Sequence, residues 1–361
     1  LQGGVQIAAD AADSTFAIDV AEATTGIAGF EKLTINSEGD AANVLGDTTN
    51  MDGDIKATDN DLLDVEVNAE QDLTINGTVV FTKEGADDGA ANGIDDAAAT
   101  LTLNGAGDIT IAALDNTDND VDTLNIVNNA TGAVNVPGAS PALETDAGND
   151  GNGDAQTSSL VITGTGSEIN FGTADDPETM GTDESNSGFN VSGLTDIDAS
   201  GFGGDLDLGI VTGTVGAEES LSISGSGGVT NLTLGDAKDD GGATSAFEMN
   251  AEANVSIDLS GSAAGSSVTL TEDVVVPDLN SPGSPTVADA GSLTINAERL
   301  VLDGNVDLTQ LVDVDGNNKL DLSGVTTVDL AEGASLKLSD QQFADLTPAQ
   351  QGAIEGSGQT L

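Results

Sequence analysis

The sequence contains no cysteine, histidine, tryptophan or tyrosine, and only seven of its 361 residues are lysine or arginine. Each absence removes a class of chemistry. Without cysteine there are no disulfides, thiol nucleophiles or thiolate metal sites. Without histidine there is no imidazole base and no ordinary zinc site, and a Ser-His-Asp or Cys-His arrangement is impossible. A carboxylate pair could serve a glycosidase, but sugar sites favour aromatic platforms, and the only aromatic residues are 8 phenylalanines. Five of these, Phe81, Phe171, Phe189, Phe202 and Phe247, read as core plugs. A uronate lyase needs basic residues at its site, whereas the single arginine, Arg299, stands beside Glu298 and reads as half of a surface ion pair. The expectation is that the chain is not an enzyme. Large repetitive surface proteins do without disulfides, so the missing cysteine does not exclude secretion.

Against the seven cations stand 63 aspartates and glutamates, a formal net charge of −56. A surface this negative repels phosphate backbones and anionic membranes, which argues against nucleic acid and lipid headgroups as partners. No apolar run approaches the ~20 residues of a spanning helix, so no membrane insertion is expected. Dense like charge opposes compaction and is answered by high salt, by bound divalent cations or by disorder. Hydrophobic residues make up 37% of the chain and recur in short alternating runs, which favours a folded protein. A saline or calcium-rich exterior suits such a chain better than a cytosol, and a start at Leu1 without a leader reads as a processed segment.

The recurring unit is a four-residue core of apolar, small polar, apolar, polar. It occurs as Leu33-Thr34-Ile35-Asn36, Leu73-Thr74-Ile75-Asn76 and Leu293-Thr294-Ile295-Asn296. Variants begin at Leu101, Leu160, Leu221, Leu232, Val255, Val268 and Leu320, and Ser200–Leu208 reads as a weaker strand. Period-two alternation places aliphatic side chains on one face and Thr, Ser, Asn or Asp on the other, the pattern of a half-buried strand. Gly, Asn and Asp clusters between the cores supply turns. The spacing is irregular, which fits an all-β, repetitive β-solenoid (parallel β-helix-like) with loop insertions; tandem β-sandwich domains are the alternative. Scarcity of aromatics favours the solenoid, whose narrow core stacks aliphatic ladders.

Composition divides the chain into a β-repeat region over 1–137, an acidic Gly/Asn-rich loop or linker over 138–156, and a second β-repeat region over 157–278. A Pro/Gly/Ser linker over 279–291 and a final β-repeat region over 292–361 follow. The last of these ends differently. Ser339-Asp340-Gln341-Gln342 and Thr347-Pro348-Ala349-Gln350 both have capping-box spacing, predicting short helices over 340–346 and 348–354. These could cap a solenoid or be an insertion in a longer array. Five Asn-x-Ser/Thr sequons begin at Asn76, Asn129, Asn190, Asn231 and Asn254, close to chance in so Asn-, Ser- and Thr-rich a chain.

Candidate cation sites are the dense Asp/Asn turns. Asp146, Asn149, Asp150, Asn152 and Asp154 alternate with glycines that let a loop wrap an ion. Asp313, Asp315, Asn317 and Asp321 offer the same alternation, and Asp118, Asp120 and Asp122 a weaker version, as do the runs around Asp52 and Asp59. Neither of the two stronger clusters is an EF-hand; the second lacks the sixth-position glycine and twelfth-position glutamate. Hard oxygen donors of this kind point to several Ca2+ sites, although Asp, Asn and Gly are also the commonest turn residues.

Together the Leu-Thr-Ile-Asn cores, the Asp/Gly/Asn turns, the missing Cys and His, and the tail Leu336-Lys337-Leu338-Ser339-Asp340-Gln341-Gln342-Phe343 resemble bacterial secreted β-strand-repeat surface proteins, the group of S-layer proteins and giant adhesins. The resemblance implies type I or similar secretion, an extracellular cell-surface location, calcium-dependent lattice or fibre formation, and no catalysis. The Gly-Gly-x-Gly-x-Asp array of calcium-binding β-rolls is missing; Gly203-Gly204-Asp205 and Gly225-Ser226-Gly227-Gly228 are fragments of it. The leading expectation is therefore a self-assembling structural protein whose main partner is another copy of itself, with cell-surface polysaccharide a second partner. An adhesin or binding module recognising a glycan or protein is the alternative, and an appendage or phage fibre a third.

Overall fold

Leu33 and Ile35 point inward from one strand, and Thr34 and Asn36 point outward, as the alternation predicts. The same holds through the computed structural model: the first and third residues of all ten four-residue cores are buried. The structure describes residues 5–9, 15–16, 32–45, 55, 62–81, 97–115, 121–137, 158–172, 189–235, 246–276, 291–312, 317–331 and 333–356. The chain divides into two compact units, one of Leu1–Ser187 with Gly201–Asp205, the other of Gly188–Ser200 with Leu206–Leu361.

In the first unit the strands come in pairs: β1 (Val5–Ala9) and β2 (Thr15–Phe16), β3 (Lys32–Ser37) and β4 (Asn43–Leu45), and β5 (Asp64–Ala69) and β6 (Leu73–Val80). Three further pairs follow: β7 (Ala97–Gly105) and β8 (Ile109–Asp115), β9 (Val121–Asn128) and β10 (Ala133–Val136), and β11 (Ser158–Gly164) and β12 (Glu168–Phe171). The first member of each pair stacks in one parallel sheet, β1-β3-β5-β7-β9-β11, and the second in another, β2-β4-β6-β8-β10-β12. Each coil contributes one strand to each sheet, which makes this unit a β-solenoid. Register builds aliphatic ladders through the core: Leu33, Val65, Leu101, Ile126 and Ile162 on one side, Leu73, Ile109, Val134 and Ile169 on the other. Full burial of each such side chain contributes about 1.5–3 kcal/mol.

The second unit repeats the plan with a third side. Its strands are β13 (Phe189–Asn190), β14 (Leu194–Phe202), β15 (Asp205–Val215), β16 (Ser220–Ser224), β17 (Thr230–Leu234), β18 (Phe247–Met249), β19 (Asn254–Asp258) and β20 (Ser267–Thr271). After them come β21 (Val274–Val275), β22 (Ser292–Asn296), β23 (Arg299–Asp303), β24 (Asn305–Asp307), β25 (Leu320–Asp321), β26 (Thr327–Leu330) and β27 (Ser335–Lys337). The two main parallel stacks are β14-β16-β19-β22-β25 and β15-β17-β20-β23-β26. Short pieces form the third side, with β18 joining β15 and β21, and β24 pairing β27. Ile197, Ile223, Ile257 and Ile295 form one inward row, and Leu234, Leu270, Leu302 and Leu330 another. Parallel pairing excludes the tandem-sandwich alternative, whose sheets are antiparallel. The five phenylalanines read as plugs are all buried.

Two details differ from the sequence reading. Ser200–Leu208 is not one strand: β14 ends at Phe202, Gly203–Gly204 turn the corner, and β15 starts at Asp205. The corner is held by Gly203 N–H donating to Gly164 O and Asp205 N–H to Ser167 O. Some inward positions are polar: Asn128 is fully buried, donating to Glu168 O at 3.1 Å and accepting from Ala130 N–H at 2.9 Å. Helices α1 (Asp340–Asp345) and α2 (Pro348–Gly356) fall where the capping boxes place them. The linker expected over 138–156 lies outside the described residues, as does the one expected over 279–291 except for Gly291.

Candidate functional site

The outward positions of the first sheet in each unit carry small polar side chains in rows, one residue per coil. In the first unit Thr34, Glu66 and Thr102 form one row, and Lys32, Asp64 and Thr100 another. A third row is a chain of amides: Asn68 Nδ2 donates to Asn36 Oδ1 at 2.9 Å, Asn104 Nδ2 to Asn68 Oδ1 at 3.0 Å, and Asn129 Nδ2 to Asn104 Oδ1 at 3.2 Å. In the second unit the rows are Asp196, Ser222, Ser256, Thr294, Asp321 and Asp198, Ser224, Asp258, Asn296. In none of these rows does a carboxylate face a carboxylate of the next coil. With coils separated by the ~4.8 Å strand spacing, such a pair would be strongly repulsive, so the rows dilute charge with hydroxyls and amides.

Carboxylates are used instead as backbone acceptors at corners. Asp72 Oδ1 accepts from Asp108 N–H at 3.0 Å, and Asp108 Oδ1 accepts from Ala133 N–H at 2.8 Å, each bond linking one coil to the next. Asp198, Asp258 and Asp321 each accept the N–H two residues on, from Ser200, Ser260 and Ser323, at 2.8–2.9 Å. This is the Asx-turn that a short acidic side chain forms at a bend. Burial pushes the Asp207 carboxyl above the ordinary aspartate value, against the Gly209 N–H bond that favours the charged form. Burial and the neighbouring Asp198 also raise Asp196. Glu66 is held low chiefly by its bond to Lys32, with the ion pair at 2.9 Å. At Asp307 the upward push of burial is outweighed by Thr309 and Lys337. Arg299 pairs with Asp329 rather than with its neighbour Glu298.

Most of the expected cation ligands, namely Asp118, Asp120, Asp146, Asn149, Asp150, Asn152, Asp154, Asp313 and Asp315, lie outside the described residues, as do the runs around Asp52 and Asp59. Asp122 lies on β9, with its side chain outside the description. Asn317 and Asp321 are brought together at a half-open cleft of about 540 Å3, bordered also by Asn318, Ser323, Gln341 and Asp345 and floored by leucines. Here Asp345 accepts from Gln341 Nε2 at 2.8 Å and Asn318 Nδ2 at 3.1 Å. The donors are all oxygens and amides, the chemistry of a hard cation or a polyhydroxylated ligand. Among the described residues no three acidic side chains converge as a metal cluster.

Two side chains that the sequence reading named only as parts of capping boxes make further contacts. Gln342 and Gln350, at the N3 positions of the two capping boxes, are buried. Each Oε1 accepts its N-cap N–H, from Ser339 at 2.7 Å and Thr347 at 2.8 Å. Each Nε2 reaches the solenoid: Gln342 donates to Leu308 O and Leu311 O, at 2.8 and 3.1 Å. Gln350 donates to Leu322 O and Val325 O, at 2.7 and 2.8 Å. The box spacing signalled the helices; nothing local signalled that the same amides would lock them to corner turns.

No family model matches the chain, and no curated protein or solved structure matches it. Among the described residues no helix is long and apolar enough to cross a membrane.

Proposed function

We propose that the chain is a structural, self-assembling extracellular surface protein, an S-layer or fibre subunit, stabilised by divalent cations. The observation that supports this best is the pair of stacked parallel sheets in each unit, whose outer rows repeat small polar side chains coil after coil. Such flat, repetitive faces suit many equivalent weak contacts between copies better than one deep site. The charge supports the cation role: the corners and rows absorb some carboxylates, yet seven cations cannot neutralise 63 acids. Calcium bridging acidic loops within and between copies removes that repulsion. No catalytic role belongs to this reading.

The test is calcium titration of the chelator-stripped chain, followed by circular dichroism and electron microscopy at low and high ionic strength. Calcium-dependent sheets or filaments support the proposal. A chain that is folded without calcium and monodisperse with it overturns it. The polar cleft beside Asn317 and Asp345 favours a second reading, an adhesin module binding a glycan or protein loop. That reading predicts saturable binding that Asp345→Ala weakens without changing assembly.

A further inference from the structure

The cleft of about 540 Å3 beside β25 and α1 has a floor and a rim of opposite character. Leu320, Leu322 and Leu346 make the floor aliphatic, and all three are buried. The rim carries Asp321 and Asp345, both exposed. Neutral groups position Asp345, whose two oxygens accept from Gln341 Nε2 at 2.8 Å and Asn318 Nδ2 at 3.1 Å. Asp321 is turned by the Ser323 N–H, which donates to its Oδ1 at 2.8 Å. That leaves Asp321 Oδ2 and further lone pairs on both Asp345 oxygens, because an ionised carboxylate accepts at about four positions. Gln342, which also borders the cleft, directs its amide nitrogen away from it, to Leu308 O and Leu311 O. Among the described residues neither carboxylate is in an ion pair, and no lysine or arginine borders the cleft.

We propose that this cleft binds a primary ammonium on an unbranched aliphatic stem, the lysine side chain of a protein loop, with its head on Asp321 and Asp345 and its stem on the leucines. The inference rests on the second reading above, the cleft as a binding site, and names the ligand that reading leaves open. Charge complementarity selects the head group: surplus acceptors call for donors, and lysine brings three donors and no acceptor. The floor selects the stem, since lysine lays its methylenes along apolar surface while the charged head stays near water. A divalent ion would use the two rim carboxylates and leave the leucines idle, whereas calcium takes roughly six to eight oxygens. A neutral sugar would cover both carboxylates without supplying a counter-charge. Because the cleft is half open, a stem enters from outside with its other end in solvent, as a side chain presented by a loop does.

The experiment uses the full chain labelled with 15N and reads the side-chain amide resonances of Asn318 and Gln341 by NMR. The probes are Nα-acetyl-lysine methylamide, its Nε-acetylated form, cadaverine, glucose and CaCl2, all at one ionic strength. The lysine probe is expected to shift these resonances saturably, with a Kd on the order of 1 mM because exposed charge pairs are individually weak. Asp321→Asn and Asp345→Asn are each expected to raise that Kd about three- to five-fold. Asparagine keeps an oxygen for the bonds each carboxylate accepts, and circular dichroism checks that strand content is unchanged. Glu272→Gln removes the same charge from an exposed position away from the cleft and is expected to leave the Kd as it is. An equal loss in Glu272→Gln overturns the proposal, because the attraction is then diffuse. Equal binding of the acetylated probe or of glucose overturns it while the cleft remains a binding site. Cadaverine binding more than about ten-fold tighter assigns a free diamine and overturns the protein-loop source. Ca2+ that saturates the same resonances at lower concentration than the lysine probe overturns it in favour of an ion site. With no saturable shift from any probe, the binding-site reading falls together with the proposal.

Discussion

From a single buried amide Gln342 makes three hydrogen bonds and Gln350 four, the Thr347 hydroxyl adding one, which uses each group almost fully. Gln350→Glu keeps the shape but replaces two donors with a carboxylate oxygen facing two carbonyls. The buried charge has no partner, so the expected cost is about 3–4 kcal/mol, against about 2 kcal/mol for Gln350→Ala. Because α2 is a local element, that cost is expected as faster hydrogen exchange over 348–354, with the sheet strands unchanged. Asp207 carries the opposite liability. Its folded pKa is raised, so the folded state holds its proton more tightly than the unfolded chain, and stability falls as pH climbs from 3.8 through the raised value. Asp207→Asn keeps the acceptor for Gly209 N–H and removes the charge. The variant is expected to unfold at higher urea than the parent at pH 7 and at the same urea below the ordinary aspartate pKa. A gain that persists at low pH would rule out the charge as its cause.

Single elements gain their stability from what the neighbouring coil offers them. Asn68 sits mid-chain in the amide row, donating to Asn36 and accepting from Asn104. Asn68→Ala breaks both bonds in a half-exposed setting and is expected to cost about 1–2 kcal/mol in urea unfolding. Asn36→Ala, nearer one end of the row, is expected to cost less. Gly105 and Gly164 set a harder limit: both have positive φ, 112° and 113°, and an added Cβ would overlap the carbonyl oxygen of the coil before, at Ala69 and Asn128. Gly105→Ala is expected to cost about 3 kcal/mol or more and to lower the thermal midpoint measurably. The ten strand cores were legible because period two dictates which face is buried. Strands of two or three residues such as β13, β18, β21 and β24 carry too short a pattern to show one. Asn128 and Thr230 are inward and polar because corner backbone and neighbouring hydroxyls satisfy them, a tertiary circumstance with no local trace. Asp321, read as a cation ligand, also obeys the bland rule of its type and closes an Asx-turn.

At the scale of the whole chain the deciding quantity is the −56 charge, and the outer rows show how the fold lives with part of it. Hydroxyls and amides separate the row carboxylates, and corner carboxylates accept backbone N–H groups, so the sheets themselves need no counterion at each coil. The unanswered repulsion is then long-range and comes largely from the acidic connections. Long-range repulsion is a matter of screening: the Debye length falls from about 10 Å at 0.1 M salt to about 3 Å at 1 M. Stability is therefore expected to rise with sodium chloride over that range, smoothly and without saturation at low concentration. Bound calcium makes a different mark. If the acidic turns chelate it, millimolar Ca2+ stabilises the chain as much as near-molar monovalent salt does, saturates, and is matched poorly by Mg2+, whose tighter octahedral shell such loops satisfy less well. Thermal unfolding followed by circular dichroism in matched series of NaCl, MgCl2 and CaCl2 separates the cases. Curves that superimpose when plotted against ionic strength mean that charge is screened rather than chelated, and the calcium half of the proposed function then fails while the stacked solenoid remains.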